Sequence, residues 1–215
     1  MSAQTKKTPG KLDFRKEYKA LFSPSAKEPR IVEVPDFKYV MIDGQGDPSA
    51  SPDFSAKVGV LYGLAYTLKF SLKRDPVHPF DFGVPPLSGL WCADDVTAFF
   101  EKGRRHEWKW TVMIALPDWI TPALFEKARD EVRRKKSPDF LDQARLEVYR
   151  EGLAAQIMHL GPYSAEGPTI TRLHEFFQGQ GYTFNGPHHE IYLSDPKRTA
   201  PDKMKTILRQ PIKKG

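Results

Sequence analysis

Cysteine is almost missing from this chain. Its single thiol, Cys92, excludes an internal disulfide and any cysteine-based zinc site. No base stands near it in sequence, so Cys92 reads as a small buried hydrophobe. No run of about 18 apolar residues occurs, and no membrane-spanning helix is expected. The N-terminus lacks the apolar stretch of a signal peptide, so the expected compartment is the cytoplasm. Phosphate loops are lacking too. "GQG" at 44–46 and "GPYSAEGP" at 161–168 carry neither the P-loop Lys-Ser/Thr nor a dinucleotide fingerprint. No GxSxG elbow is found. The net charge is +6, but the basic residues are scattered and no zinc-finger, basic-zipper or RNA-binding motif accompanies them. Nucleic acid is therefore not an expected partner, and no cofactor is called for.

What remains is an ordinary globular balance. Of 215 residues, 40% are hydrophobic and 28% charged, enough apolar surface for a sizeable core. The expected organisation is a mostly polar N-terminal arm over 1–30, its first ten residues mobile, and one domain over 31–212. Pro and Gly punctuate that domain. "FKYVMIDGQGDP" (37–48) reads as a strand ending in a turn. Ser51 or Asp53 caps a helix whose Phe54, Val58, Leu61, Ala65, Leu68 and Leu72 recur at helical spacing. Residues 87–94 and 106–117 are strand-like. In the latter, Trp108, Trp110, Val112 and Ile114 share one face, opposite Lys109, Thr111 and Met113. Thr121 and Pro122 open a helix over 121–136, and 144–152 reads as a further strand.

The second half repeats this plan, with a strand at 153–164, a helix at 168–181, and strands at 188–195 and 204–212. Aligning "LWCAD" with "YLSD" sets Trp91 against Tyr192 and Gly89 against Glu190. The expected fold class is α+β. Two pseudo-twofold-related strand–helix–strand–strand units form one mostly antiparallel sheet, with helices packed on it and a ligand groove at the centre.

The stretch "GPHHEIYLSD" (186–195) poses the functional question. Period-2 alternation sends Ile191 and Leu193 to one face, and His188, Glu190 and Tyr192 to the other. Either that second face is wet, or it lines a pocket. A carboxylate beside Trp91 and Tyr192, opposite a glycine that leaves room, suits a flat cationic or electron-poor ligand. Tyr62 and Tyr66, four residues apart, offer a second aromatic wall, and Trp110 is a further lining candidate. His188 could tune Glu190. Adjacent His188 and His189 point to opposite faces, so a metal site is not expected.

The segments "DFSAKVGVLYGLAYTLKF", "LSGLWCAD", "EWKWTVMIALPDWIT", "AAQIMHLGPYSAEGPTITRLHEFF" and "HHEIYLSDPKRTAPDKMKTILRQPI" resemble the stand-alone GyrI-like small-molecule-binding family, from about Lys11 to Pro211. The resemblance implies a glutamate at the base of an aromatic-lined cleft. It places that glutamate at Glu190, and its partners at Trp91, Tyr62 and Tyr192. Some members resemble hydrolases that open the cyclopropane ring of DNA-alkylating toxins. A second aromatic common after the tryptophan is replaced here by Cys92, which alters the pocket's shape but not the fold.

Three functions stay open. One is a binding module for a hydrophobic, cationic small molecule. The second is a hydrolase with Glu190 as general base and Tyr62 polarising a conjugated carbonyl. The third is non-specific nucleic-acid binding. The oligomeric state is not readable from the sequence.

Overall fold

The structure is a computed structural model. It describes residues 11–77, 79–95, 101 and 103–215. The expected mobility of the first ten residues lies outside that range.

Two short helices come first, α1 (Phe14–Glu17) and α2 (Lys19–Phe22), then strands β1 (Arg30–Val34) and β2 (Phe37–Gln45). Helix α3 (Pro52–Lys73) begins with Pro52 just after Ser51, where a missing N–H costs nothing. Strands β3 (Leu87–Cys92) and β4 (Lys109–Leu116) follow, then α4 (Pro122–Lys136). The Thr121 side chain caps α4 by accepting from the Leu124 N–H at 3.2 Å. The remaining elements are β5 (Arg145–Tyr149), β6 (Gly152–Leu160), α5 (Gly167–Gln178), β7 (Tyr182–Phe184), β8 (His188–Tyr192) and β9 (Lys205–Lys214).

The strands form one antiparallel sheet in the order β1-β6-β9-β8-β3-β4-β2-β5, with β7 added alongside β9. The order is symmetric about its centre. β2-α3-β3-β4 corresponds to β6-α5-β8-β9, and the two units meet where β3 pairs with β8. This is the duplicated α+β plan expected from the sequence. One feature was not anticipated: each unit's leading strand pairs with the other unit, β1 with β6 and β5 with β2.

That exchange forces curvature. Only Pro35 and Asp36 separate β1 from β2, so Val34 and Phe37 lie within about 11 Å of each other. Laid flat, the strands between them would span roughly 29 Å. The sheet must therefore curl until its two ends approach.

Curling divides the core. Inside the curl lie Met41, Tyr39, Leu90, Met113, Ile191 and Ile207, covered by Phe14, Leu21 and Phe22. These last three come from the stretch expected to be a polar arm. Their apolar side chains are nonetheless buried, at 4–8% exposure. On the outer face, α3 and α4 cover Val40, Ile42, Trp110, Val112 and Ile114, and α5 covers Ala155, Ile157 and Leu208. The alternation read for 106–117 thus sorts Trp110, Val112 and Ile114 outward and Met113 inward.

A polar network sits inside the curl. Arg209 donates to Glu151 at 3.0 Å, to Gln156 at 3.1 Å and to the Leu21 carbonyl at 2.9 Å. His189 Nδ1 meets Glu151 Oε1 at 2.9 Å, and Gln156 donates to the Ala20 carbonyl at 2.8 Å. Burial pushes the Glu151 carboxyl up, but His189 and Arg209 outweigh it and hold it at about 2.

Candidate functional site

The seam between the two units carries the site, on the helix-covered face of the sheet. Gly89 of β3 stands directly across from Glu190 of β8, and Trp91 across from His188. Gly89 has no side chain, so the Trp91 indole can lie over it and reach Tyr192 diagonally. A Cβ at Gly89 would come within 3.0 Å of Trp91 Nε1 and 3.1 Å of the Tyr192 hydroxyl. The Trp91 N–H donates to the Tyr192 hydroxyl at 3.0 Å, and that hydroxyl donates to Glu190 Oε2 at 2.8 Å. The Glu190 side chain is 15% exposed. The face that alternation left as wet or lining is thus a covered one.

A second carboxyl completes the arrangement. Glu166 lies at the start of α5, 5% exposed, against Glu190 and Thr206. Burial first, then the Glu190 charge, raises the Glu166 carboxyl to about 9. Burial likewise raises Glu190, to about 7, while the Tyr192 hydroxyl and the Glu166 contact hold it down. Two carboxylates cannot both ionise this close together in a poorly solvated place, so the pair keeps a proton at neutral pH. Among the described residues, Glu166 Oε1 and Thr206 Oγ1 have no aligned hydrogen-bond partner.

Aromatic groups enclose the pair. The Tyr163 ring meets Tyr192 edge-on at 5.5 Å and is 40% exposed. Its hydroxyl is raised to about 12, chiefly by burial and then by the charges of Glu166, Glu190 and Asp195. Trp91 packs on Phe54 at 6.5 Å and Trp108 at 6.1 Å. His188 Nε2 is 3.8 Å from Glu190 Oε1, beyond hydrogen-bond reach. Burial lowers His188 to about 3, so the ring is neutral beside the carboxyls.

Of the residues singled out in the sequence, Glu190, Trp91, Tyr192 and His188 therefore come together. Tyr62 is half-buried and stacks on Tyr66 at 6.2 Å. Among the described residues it makes no hydrogen bond to either carboxyl; burial foremost raises its hydroxyl. Tyr66 is 45% exposed and stacks outward on Phe70. Trp110 is not at the carboxyls. It is buried in the core against Phe54, and its indole N–H donates to the Gly46 carbonyl at 3.2 Å. Cys92, expected to be buried, is exposed at the end of β3.

A family model described as the GyrI-like small molecule binding domain matches residues 27–213. The chain belongs to that family. The GyrI-like chain is also similar to a conserved Listeria innocua protein of known crystal structure. The two are 37% identical over 94% of this chain and 100% of that one, with a TM-score of 0.87. Two crystal structures, each of a hydrolase from the same organism, are each 36% identical, covering 94% and 95% of this chain and all of theirs, with TM-scores of 0.83 and 0.85. No protein in a search of curated sequences matches. No helix among the described residues of the GyrI-like chain is long and apolar enough to cross a membrane.

Glu166 and Tyr163 were missed in the sequence. Both stand in the Gly- and Pro-rich "GPYSAEGP", whose composition reads as a solvated turn. One signal was available. In a duplicated plan this turn is the counterpart of the β2–α3 connection, so it runs from strand to helix over the same seam.

Proposed function

We propose that this GyrI-like domain binds a hydrophobic, electrophilic small molecule against Trp91, Tyr163 and Tyr192 and adds water to it, with Glu190 as general base. The observation that carries this reading is the buried carboxyl pair. Both carboxyls are raised by burial and hold one proton between them, so the pair keeps a carboxylate at Glu190 able to take a proton near physiological pH, steadied by Glu166. The similarity to hydrolases along the whole chain supports the same direction.

The substrate class is a strained ring conjugated to a carbonyl. Glu190 takes a proton from water as the water oxygen bonds to a ring carbon. The ring C–C bond breaks, and its electron pair passes to the carbonyl oxygen. A tyrosine hydroxyl at the rim, Tyr163 or Tyr62, donates to that oxygen. The proton on Glu190 then passes through water to the tyrosine oxygen, so both side chains are restored and the net change is one water added. General-base help is worth about 10²–10⁴-fold, which suffices only because the ring is already strained.

The second reading is binding without turnover. Glu190 can ionise beneath aromatic rings, which suits a hydrophobic cation and would release the shared proton on binding.

One experiment separates the two. The protein is incubated with a cyclopropane-bearing alkylator and the products are followed by mass spectrometry. Water addition by the wild type, reduced about 10²–10⁴-fold in Glu190→Gln, is the expected result. Saturable binding with no product in either protein would leave only the binding reading.

A further inference from the structure

The turn bearing Glu166 and Tyr163 has no secondary structure long enough to hold it. It is a single 3₁₀ turn, Tyr163–Ala165, between β6 and α5. A side chain that ties it to the sheet is His159 of β6, which is 4% exposed. His159 Nε2 lies 3.2 Å from the Pro162 carbonyl, and Nδ1 lies 3.0 Å from Thr169 Oγ1. A carbonyl can only accept, so Nε2 carries the hydrogen and Nδ1 of the neutral ring accepts from the Thr169 hydroxyl. One imidazole therefore ties both ends of the turn that contains Glu166. The backbone leaves no slack. Gly161 turns the chain at a φ of +134° and donates to the Met204 carbonyl at 3.0 Å, and a Cβ there would lie 3.2 Å from His159 Nε2. The Thr169 and Ile170 N–H groups both donate to the Glu166 carbonyl oxygen at 2.9 Å. A shift at Thr169 is thereby passed to Glu166.

We infer that His159 is a positioning residue: by clamping the 162–169 turn at both ends, it holds the Glu166 carboxyl against Glu190. The residue touches neither carboxyl. Its effect is to keep the pair together and out of water. This rests on the proposed function only in taking the pair as the working site.

The test reads the carboxyls directly and needs no substrate. Protein labelled with [δ-¹³C]glutamate is titrated by carbon NMR, with Glu166→Gln and Glu190→Gln assigning the two signals. Among the described residues, Tyr192, Tyr163 and His188 are the titratable groups beside the pair, with Asp195 and Tyr62 acting on Tyr163, and all are retained. His159→Phe keeps a ring of similar size but loses both hydrogen bonds. Its Glu166 titration is expected to fall by about one pH unit or more, as the turn loosens, the Glu190 charge draws away and water enters. His159→Gln can donate to Pro162 and accept from Thr169, and is expected to keep the wild-type titration. Should His159→Phe not fold, Thr169→Val removes one end of the clamp and is expected to shift Glu166 in the same direction. Folded His159→Phe, or Thr169→Val in its place, titrating like the wild type would overturn the inference. So would a His159→Gln shifted as far as His159→Phe. Failure to find turnover would count against hydrolysis and leave this measurement intact.

Discussion

Glu190 and Glu166 are carboxyls raised by burial, and Glu151 is one lowered by its partners despite burial. Opposite signs give opposite pH effects on stability. For the raised pair, folded values exceed unfolded ones. Their contribution is present below about pH 4.3 and is lost as pH climbs through about 7 and 9. For Glu151 the contribution is present above the unfolded value and is lost as pH falls toward about 2. Between about pH 7 and 9, above the range in which the lowered His188 gains stability with pH, the fold should therefore weaken, by up to about 1.4 kcal/mol per pH unit for each proton the folded state retains. Glu166→Gln cannot ionise. It is expected to flatten the upper part of that decline and to melt at a higher temperature than wild type at pH 8–9. Calorimetry across that range checks it, and a wild-type slope unchanged in the variant would refute the assignment.

Among the elements, the β2–β4 pair shows how a glycine and an aromatic fix a sheet together. Gly44 faces Trp110 in register, and the indole lies over the glycine. A Cβ there would fall 2.0 Å from the ring, which is pinned by Phe54 and by its bond to Gly46. Gly44→Ala is expected to cost about 1–3 kcal/mol or more, because a rigid ring has nowhere to go. Pairing it with Trp110→Leu should recover part of the loss, and urea denaturation of the single and double variants measures the coupling. The β3–β8 pair uses the same device at Gly89, but to let Trp91 reach Tyr192. There the glycine serves the site; at Gly44 it serves the core. Element type and face were legible for β4 and β8 because hydrophobic alternation is a local property. β1, β7, α1 and α2 were not, being short segments whose pairing or burial depends on distant partners.

At the level of the whole molecule, the N-terminal helices close the curl of the sheet. Removing residues 1–23 would expose the inner core and strip the Ala20 and Leu21 carbonyls from Gln156 and Arg209. Leaving a buried guanidinium short of a partner and a core face bare is expected to cost on the order of 3–5 kcal/mol. Denaturant midpoints of the truncated and full chains test this, and equal midpoints would refute it. The amino-acid pattern alone determined the duplication, the helices and strands of both units, and which side of β8 carries Glu190, because periodicity and capping act between neighbours in the chain. Tertiary structure decided the exchange of leading strands, the curl, the inner Glu151–His189–Arg209 network and the placement of Glu166. The physical reason is that Glu166 is an ordinary loop glutamate until the turn, the helix and the sheet exclude water around it together. Apposition of groups far apart in sequence, and the desolvation that follows, has no local signature.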